Sequence, residues 1–200
     1  MGVIIDDAFK WDKHAEYTYK KIIRFTSIFY KMRAIVPKEI LRKLYFAFIQ
    51  PHIAYGIEVY ANASKIYLDN LIKANNKILR ILLNTNFETF NIDLYRTFNV
   101  LPIPLLHEMK FLELIFKFHY YNHSLPDVFK NYYVVNSSVH GHSTRNKSNL
   151  HLATVSSNYG KRSSVFRAGQ FWNVLPNSFK LLSSFSLFKK NIKQYLLYRT

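Results

Sequence analysis

Residues 64–84 have the sequence SKIYLDNLIKANNKILRILLN, in which apolar and basic residues recur with a helical period. The spacing predicts one inward, apolar face made of Leu68, Leu71, Ile78 and Leu82. On another side of the same helix the period brings together Lys73, Lys77 and Arg80. The stretch therefore predicts an amphipathic helix with an apolar face and a basic ridge.

The same period recurs on both sides of this stretch. A first helix is predicted from about Lys13 to Arg33, with Asp12 as its N-cap. It carries a second basic ridge, because at about 100° per residue Lys20, Arg24 and Lys31 lie within about 40° of one another. Further helices are predicted at residues 37–50, 104–121 and 185–196, with a break at 51–56 and short helical turns around 92–98.

The composition changes after Pro126 and becomes rich in Ser, Asn, His and Gly. β-Branched pairs at 134–135 and 154–155 lack a sustained period, which predicts loops and a short hairpin. Between Thr144 and Pro176, Arg, Gly, Trp and Pro occur in an order that neither helix nor strand periodicity explains. The fold class predicted for the chain is mainly α: a helical bundle followed by a loop-rich C-terminal segment with short strands and a terminal helix.

The chain is strongly basic, with 28 Lys and Arg against 12 Asp and Glu and a formal net charge of +16. This balance favours an anionic polymer or an anionic membrane surface as partner. The absence of cysteine excludes disulfides, thiol nucleophiles and zinc sites that need thiolates. No apolar run approaches the roughly 20 residues that cross a bilayer, and Asp6 and Asp7 interrupt the only candidate for a signal peptide. We therefore expect an intracellular protein, nuclear or cytoplasmic, that is not secreted.

Few residues are candidates for metal or nucleophilic chemistry. Asp6 and Asp7 follow apolar residues as the paired aspartates of a polymerase do, but two-metal catalysis needs a further carboxylate from another strand. A strand end followed by a turn is the favoured interpretation. His140, His142 and His151 could bind a metal, cap turns or contact phosphate, and no carboxylate lies near them in the sequence. We predict no catalytic residue, no metal site and no cofactor in this chain.

The two basic ridges are the strongest functional signal. A solvated helix face is the alternative explanation, but such a face usually mixes Glu with Lys, and these faces hardly do. Tyrosines beside the ridges, such as Tyr17, Tyr19 and Tyr30, would allow stacking. The pattern predicts contact with nucleic acid, whose phosphates would be neutralised by Lys20, Arg24, Lys31, Lys73, Lys77 and Arg80.

Blocks in the first half of the chain resemble a known family. Residues 2–6, followed by Trp11 and His14, are similar to the stretch just after the palm of non-LTR retrotransposon reverse transcriptases, which ends the primer-grip hairpin and leads into the thumb. The next block of that family is similar to three pieces of this chain: Leu44-Tyr45, Gln50-Pro51 and residues 54–60 (AYGIEVY). Tyr60 stands where the family usually has Trp. The basic thumb helix that follows is matched by Lys77 and Leu79-Arg80-Ile81.

The C-terminal blocks are the most specific part of the resemblance, which spans essentially the whole chain. In their order they are similar to the tail of jockey-like elements, a LINE group. They are His140-x-His142-x-Thr144-Arg145, Gly160-Lys161-Arg162-Ser163, Gly169, Trp172-Asn173-x-Leu175-Pro176 and Phe188-Lys189-Lys190.

The resemblance implies a parent RNA-directed DNA polymerase of a transposable element, acting in target-primed reverse transcription. Its fingers and palm, with the catalytic aspartates and their Mg, would precede Met1, so this chain would be truncated and inactive alone. Its partners would be a template–primer duplex of RNA and DNA and the missing palm and fingers, with no membrane. The parts implied are residues 1–12 as the end of a primer-grip-like hairpin, 13–125 as a thumb-like helical domain and 126–200 as a nucleic-acid-binding segment.

Within the C-terminal segment, the expected contacts to RNA or target DNA are Arg145, Arg162, Arg167 and Trp172. The ring of Trp172 would either stack on bases or pack in the core. The alternative function is a basic helical interaction module, without enzymatic activity, that binds an anionic membrane or an acidic protein. A third possibility is an intact polymerase that uses Asp6 and Asp7, for which we expect no activity.

Overall fold

The computed structural model describes residues 2–85, 91–139, 147 and 149–199. These residues are mainly helical, which confirms the predicted class. They form two compact units. The first contains the chain up to Leu106 and the residues from Leu196 onward, and the second is His107–Tyr195. The described helices include none that is both long and apolar enough to cross a membrane.

The first unit contains both predicted basic helices and the elements around them. Its helices are α1 Asp12–Ile23, α2 Phe25–Met32, α3 Lys38–Phe48, α4 Gln50–Ala54, α5 Ile57–Tyr60, α6 Lys65–Leu83 and α7 Asn91–Phe98. The next helix, α8 Ile103–Tyr120, begins at its end and continues into the second unit.

The prediction for α6 is confirmed, both in its bounds and in its inward face. Leu71 and Ile78 are fully buried, and Asn84 ends the helix in the left-handed conformation. A buried hydrogen-bond chain lies on the same face of α6, where the hydroxyl of Tyr45 donates to Asn75 Oδ1 at 2.9 Å. The amide of Asn75 then donates to the hydroxyl of Tyr95 at 3.1 Å, which itself donates to Asn76 Oδ1 at 2.5 Å. A satisfied buried network of this kind fixes the orientation of α6 about its own axis. This network was not predicted from the sequence.

The single helix predicted from Lys13 to Arg33 is wrong, because the chain turns at Arg24 and forms α1 and α2. The hydroxyl of Ser27 donates to the carbonyl of Arg24 at 3.5 Å. Arg24 itself keeps right-handed helical backbone angles, with φ −60° and ψ −29°, so the interruption is local. Ile22 and Phe29 are nevertheless both buried, so the two segments share one core.

The break predicted at residues 51–56 is much shorter in the structure. Pro51 lies in the first turn of α4, where its missing N–H costs nothing. The interruption is confined to Tyr55 and Gly56, before α5 begins at Ile57. Gly56 has φ 68°, and a Cβ built on it would lie 2.7 Å from Val3 Cγ2. Both the backbone conformation and the close approach therefore require glycine here.

The strand expected before Asp6 is not present in the described residues of this segment. Residues 2–6 have no regular secondary structure, and Ile5 is 67% exposed. The turn is confirmed at Asp7 and Ala8. The carboxylate of Asp6 accepts hydrogen bonds from the backbone N–H groups of Lys10 at 2.9 Å and Trp11 at 2.8 Å, just ahead of α1. The bond from Lys10 is the main reason that the pKa of Asp6 is lowered.

The second unit is built around α8 and a terminal helix, α13 Phe185–Tyr198. The rings of Phe116 on α8 and Phe188 on α13 stack with their centroids 4.1 Å apart. The shorter helices of this unit are α9 Asp127–Lys130, α10 Asn136–Val139, α11 Ser164–Val174 and α12 Asn177–Lys180, with 3₁₀ turns at Asn122–Ser124 and Gly160–Arg162.

The second unit corrects two predictions for the C-terminal segment. Among its described residues no strand forms, and an isolated antiparallel bridge between Val135 and Leu150 takes the place of the expected hairpin. The part of 144–176 that periodicity did not explain contains α11, whose N-cap Ser163 accepts a hydrogen bond from the N–H of Phe166 at 3.4 Å. The two units divide the chain at a different place from the domains 13–125 and 126–200, whose bounds stay a prediction.

Candidate nucleic-acid interface

A groove in the first unit brings most of the predicted basic residues together. One wall comes from the α1–α2 turn and α2, and the other from the C-terminal half of α6. Its volume is about 710 Å³. The residues that line it are Ile23, Arg24, Thr26, Ser27, Tyr30, Lys31, Arg33, Lys77, Arg80, Ile81 and Thr85.

Every charged residue in the described lining of this groove is Lys or Arg. Arg24 and Lys31 face it from one wall and Lys77 and Arg80 from the other, so four of the six residues predicted on the ridges meet there. Arg33 adds a fifth cation. The described lining includes no Asp or Glu. Cations that share a cleft with apolar walls reinforce one another, because the low dielectric of the walls concentrates the field.

Two local contacts organise the ends of the groove. The Nη2 of Arg80 donates to Asn91 Oδ1 at 2.7 Å, which ties the C-terminal part of α6 to the start of α7. The guanidinium of Arg33 lies over the ring of Tyr30, 4.0 Å from its centroid. This cation–π contact holds a planar cation and an aromatic ring side by side at the end of α2.

The other two residues of the predicted ridges lie outside the groove lining. Lys20 pairs with Glu16 at 2.6 Å and Lys73 with Asp69 at 3.6 Å, each one helical turn apart and largely exposed. Exposed pairs of this kind contribute little to stability, but the acid offsets the local positive charge. The predicted ridges therefore divide into two groups. Lys20 and Lys73 each pair with an acid, whereas the groove cations have no acid among the described lining residues.

Arg33 was missed because the sequence was interpreted as one straight helix. At about 100° per residue, Arg33 lies about 180° from Arg24, on the face opposite the ridge. Because α2 ends at Met32, the position of Arg33 does not have to follow the helical period.

The structure shows the surroundings of Arg162 and Arg167 in the C-terminal segment, and their contact with RNA or DNA stays a prediction. Arg145, His140 and His142 lie outside the described residues. The Nε of Arg162 donates to the carbonyl of Asn158 at 3.3 Å. Burial, together with the nearby charge of Arg162, lowers the pKa of Arg167.

Trp172 is buried, with 3% of its surface exposed, so of the two roles considered the structure supports packing. Its ring stacks on that of His119 at 5.0 Å, and Lys180 Nζ lies 5.9 Å from its centroid. Burial is the main reason that the pKa of His119 is lowered, with Lys180 adding to the effect. A ring held in this way contributes to the core of the second unit.

The conspicuous residue types of the 160–176 stretch also have a packing explanation. A Cβ on Gly169 would lie 2.5 Å from Leu152 Cδ2, so glycine lets an extended segment lie against α11. The side chain of Asn173 accepts from the N–H of Leu150 and donates to its carbonyl, both at 2.9 Å. Gly169 thus leaves room for Leu152 beside α11, and Asn173 binds the backbone of Leu150 to the same helix.

The structure offers no metal site in the part of the chain it describes. Within those ranges no group of three or more His, Asp or Glu side chains is placed to hold an ion. Asp6 points its carboxylate at backbone N–H groups. His151 donates its own backbone N–H to the carbonyl of Val134 at 2.7 Å.

Comparison of the chain with protein-family models, curated proteins and solved structures finds no match. The function must therefore be argued from the chemistry of the groove and from the blocks of sequence quoted above.

Proposed function

We propose that this chain binds the sugar-phosphate backbone of nucleic acid as the thumb and C-terminal part of a non-LTR retrotransposon reverse transcriptase. The single observation that carries the proposal is the groove between α2 and α6. It gathers five cations and no acid among its described lining residues.

The charge arrangement is what a phosphate backbone requires. Each Lys or Arg that neutralises a phosphate releases condensed counterions, which gives affinity without reading the sequence. Arg and Lys face each other across the groove, so a strand between the walls would be neutralised on both sides. The apolar side chains of Ile23 and Ile81 between them keep the dielectric low and strengthen each contact.

In this proposal the chain holds and positions the template–primer, while the chemistry belongs to the palm. By its resemblance to the family, the catalytic aspartates and their Mg would lie in that palm. The residues of this chain supply the backbone contacts, chiefly Arg24, Lys31, Arg33, Lys77 and Arg80. Lys20 and Lys73, which pair with acids, make a smaller contribution.

The test uses two charge-matched double variants. Lys31→Ala with Lys77→Ala removes one groove lysine from each wall, whereas Lys20→Ala with Lys73→Ala removes two exposed lysines outside the lining. Fluorescence anisotropy with a labelled template–primer, an RNA–DNA hybrid with a single-stranded RNA extension, gives Kd at several salt concentrations. Circular dichroism checks that both variants are folded.

The groove variant should reduce the slope of log Kd against log salt by about 2, one for each phosphate contact, and weaken binding about uniformly across sequences. The control variant should change the slope by less than half of that. Binding without a salt slope, or equal effects of the two variants, would overturn the proposal. If the groove variant instead loses binding to vesicles of anionic lipid and leaves template–primer binding unchanged, the membrane-binding alternative is correct.

A further inference from the structure

We infer that the groove between α2 and α6 takes a single strand of nucleic acid with its bases unpaired, rather than the duplex part of a template–primer. The inference rests on the proposed function and specifies the ligand of the same site. It follows from the shape of the groove, its apolar lining and its pair of Tyr30 and Arg33.

The first argument is shape. The groove has walls on two sides and a volume of about 710 Å³. This volume falls in the range of about 300–1,000 Å³ in which proteins enclose small molecules. Because the two helices pack against each other, nucleotide units would lie along the groove above their contact. A duplex offers a broad convex surface with its bases stacked inside, so it could only lie across the rim.

The second argument is the apolar part of the lining. Ile23 and Ile81 come from opposite walls and lie among the cations. Ile81 is nearly buried and Ile23 is half-buried. The phosphate surface of a duplex has no apolar group to place against them. The base and sugar of an unpaired nucleotide do, while its phosphate remains within reach of Arg24, Lys31 or Lys77.

The third argument is the pair formed by Tyr30 and Arg33. Tyr30 is 57% exposed although it lines the groove, and the Arg33 guanidinium is 4.0 Å from its ring centroid. Unpaired bases stack on tyrosine rings and on guanidinium planes. In a duplex the faces of the bases are already stacked on one another, so only a single strand can use this pair.

The test compares three labelled probes of matched length by fluorescence anisotropy at one salt concentration. They are an unstructured single-stranded RNA, a blunt RNA–DNA hybrid, and the hybrid with a single-stranded RNA extension. We expect the single strand and the extended hybrid to bind about tenfold more tightly than the blunt hybrid. If the blunt hybrid binds as tightly as the extended one, the inference is wrong, although the proposed function survives.

A variant pair separates stacking from charge. Tyr30→Ala should weaken single-strand binding by about 5- to 150-fold, the range for loss of one stacked base, and leave the salt slope unchanged. Tyr67→Ala removes an exposed tyrosine of α6 that is not a groove residue, and should have no effect. A Tyr30→Ala protein that is folded, shows the wild-type salt slope and binds the single strand as tightly as the wild type would contradict the inference.

Discussion

His14 is a buried histidine whose protonation opposes folding. It is 2% exposed, its ring lies 4.9 Å from that of Tyr60, and its Nδ1 accepts a hydrogen bond from the N–H of Ile4 at 3.2 Å. Burial lowers the pKa of His14 from its ordinary value of 6.5. Below that pH the unfolded chain binds the proton and the folded chain resists it, so the free energy of unfolding falls as the pH falls.

We therefore predict that the melting temperature falls between pH 7 and pH 5 and that His14→Asn reduces this fall. Asparagine keeps an acceptor for the N–H of Ile4 but does not titrate. Thermal unfolding followed by circular dichroism at several pH values measures the effect. A wild-type protein and an H14N variant with parallel pH profiles would contradict the assignment. Part of the dependence should persist in the variant, since burial also lowers the pKa values of His52 and His119.

Gly56 gives a second prediction at the level of a single residue. Its φ of 68° is unfavourable for any residue with a Cβ, and Val3 leaves no room for one. Gly56→Ala should lower the free energy of unfolding by about 1–2 kcal/mol. Gly2→Ala is the control, because a Cβ there meets no atom within 4 Å. Urea denaturation of both variants decides the matter, and equal stabilities would show that the turn before α5 tolerates a side chain.

Asn173 connects α11 with the segment around Leu150, 23 positions earlier in the chain. Both polar atoms of its side chain bond to the backbone of Leu150, a buried residue. Asn173→Ala should leave an N–H and a carbonyl unpaired, at a cost of about 1–3 kcal/mol for each buried group. We expect faster amide hydrogen exchange at Leu150 and a lower melting temperature. Gln170→Ala, an exposed change on the same helix, should stay within about 0.5 kcal/mol of the wild type. Unchanged exchange at Leu150 in the Asn173 variant would contradict this role.

The helices differ in how far the sequence predicts them. The bounds of α6 follow from the sequence because a long apolar period coincides with Ser64 before it and Asn84 after it. The turn between α1 and α2 does not, since Ile22 and Phe29 keep the same apolar face on either side of it. An interruption of one residue leaves the hydrophobic pattern unchanged, so periodicity does not reveal it.

Part of the candidate site could be predicted from the sequence, namely the residues whose positions follow the helical period. Periodicity identifies Lys77 and Arg80 because α6 is straight and regular, and it identifies Arg24 and Lys31 because they share a ridge. It cannot identify Arg33, whose position depends on the end of α2. In the C-terminal segment the unusual residue types are visible in the sequence, but Gly169 acquires its explanation only from the approach of Leu152, 17 positions earlier in the chain.

At the scale of the whole molecule, the formal net charge of +16 attracts any anionic surface. Total charge and charge placement must therefore be separated. The double variants of Lys31 with Lys77 and of Lys20 with Lys73 each remove two positive charges from the same chain. A property that depends on total charge alone should change equally in both variants. A property that depends on the cations of the groove should change more in the variant that lacks Lys31 and Lys77.

We predict that the two variants elute at the same salt concentration from a sulfonate cation-exchange resin but differ in their affinity for single-stranded RNA. All four lysines are exposed, and each double variant loses two positive charges, so retention on the resin should fall equally for both. An RNA strand in the groove meets cations on both walls, and the loss of Lys31 and Lys77 removes contacts that lysines outside the groove do not replace. Retention and RNA affinity that fall together, in the same proportion for each variant, would mean that overall surface charge explains the binding and that the groove has no special part in it.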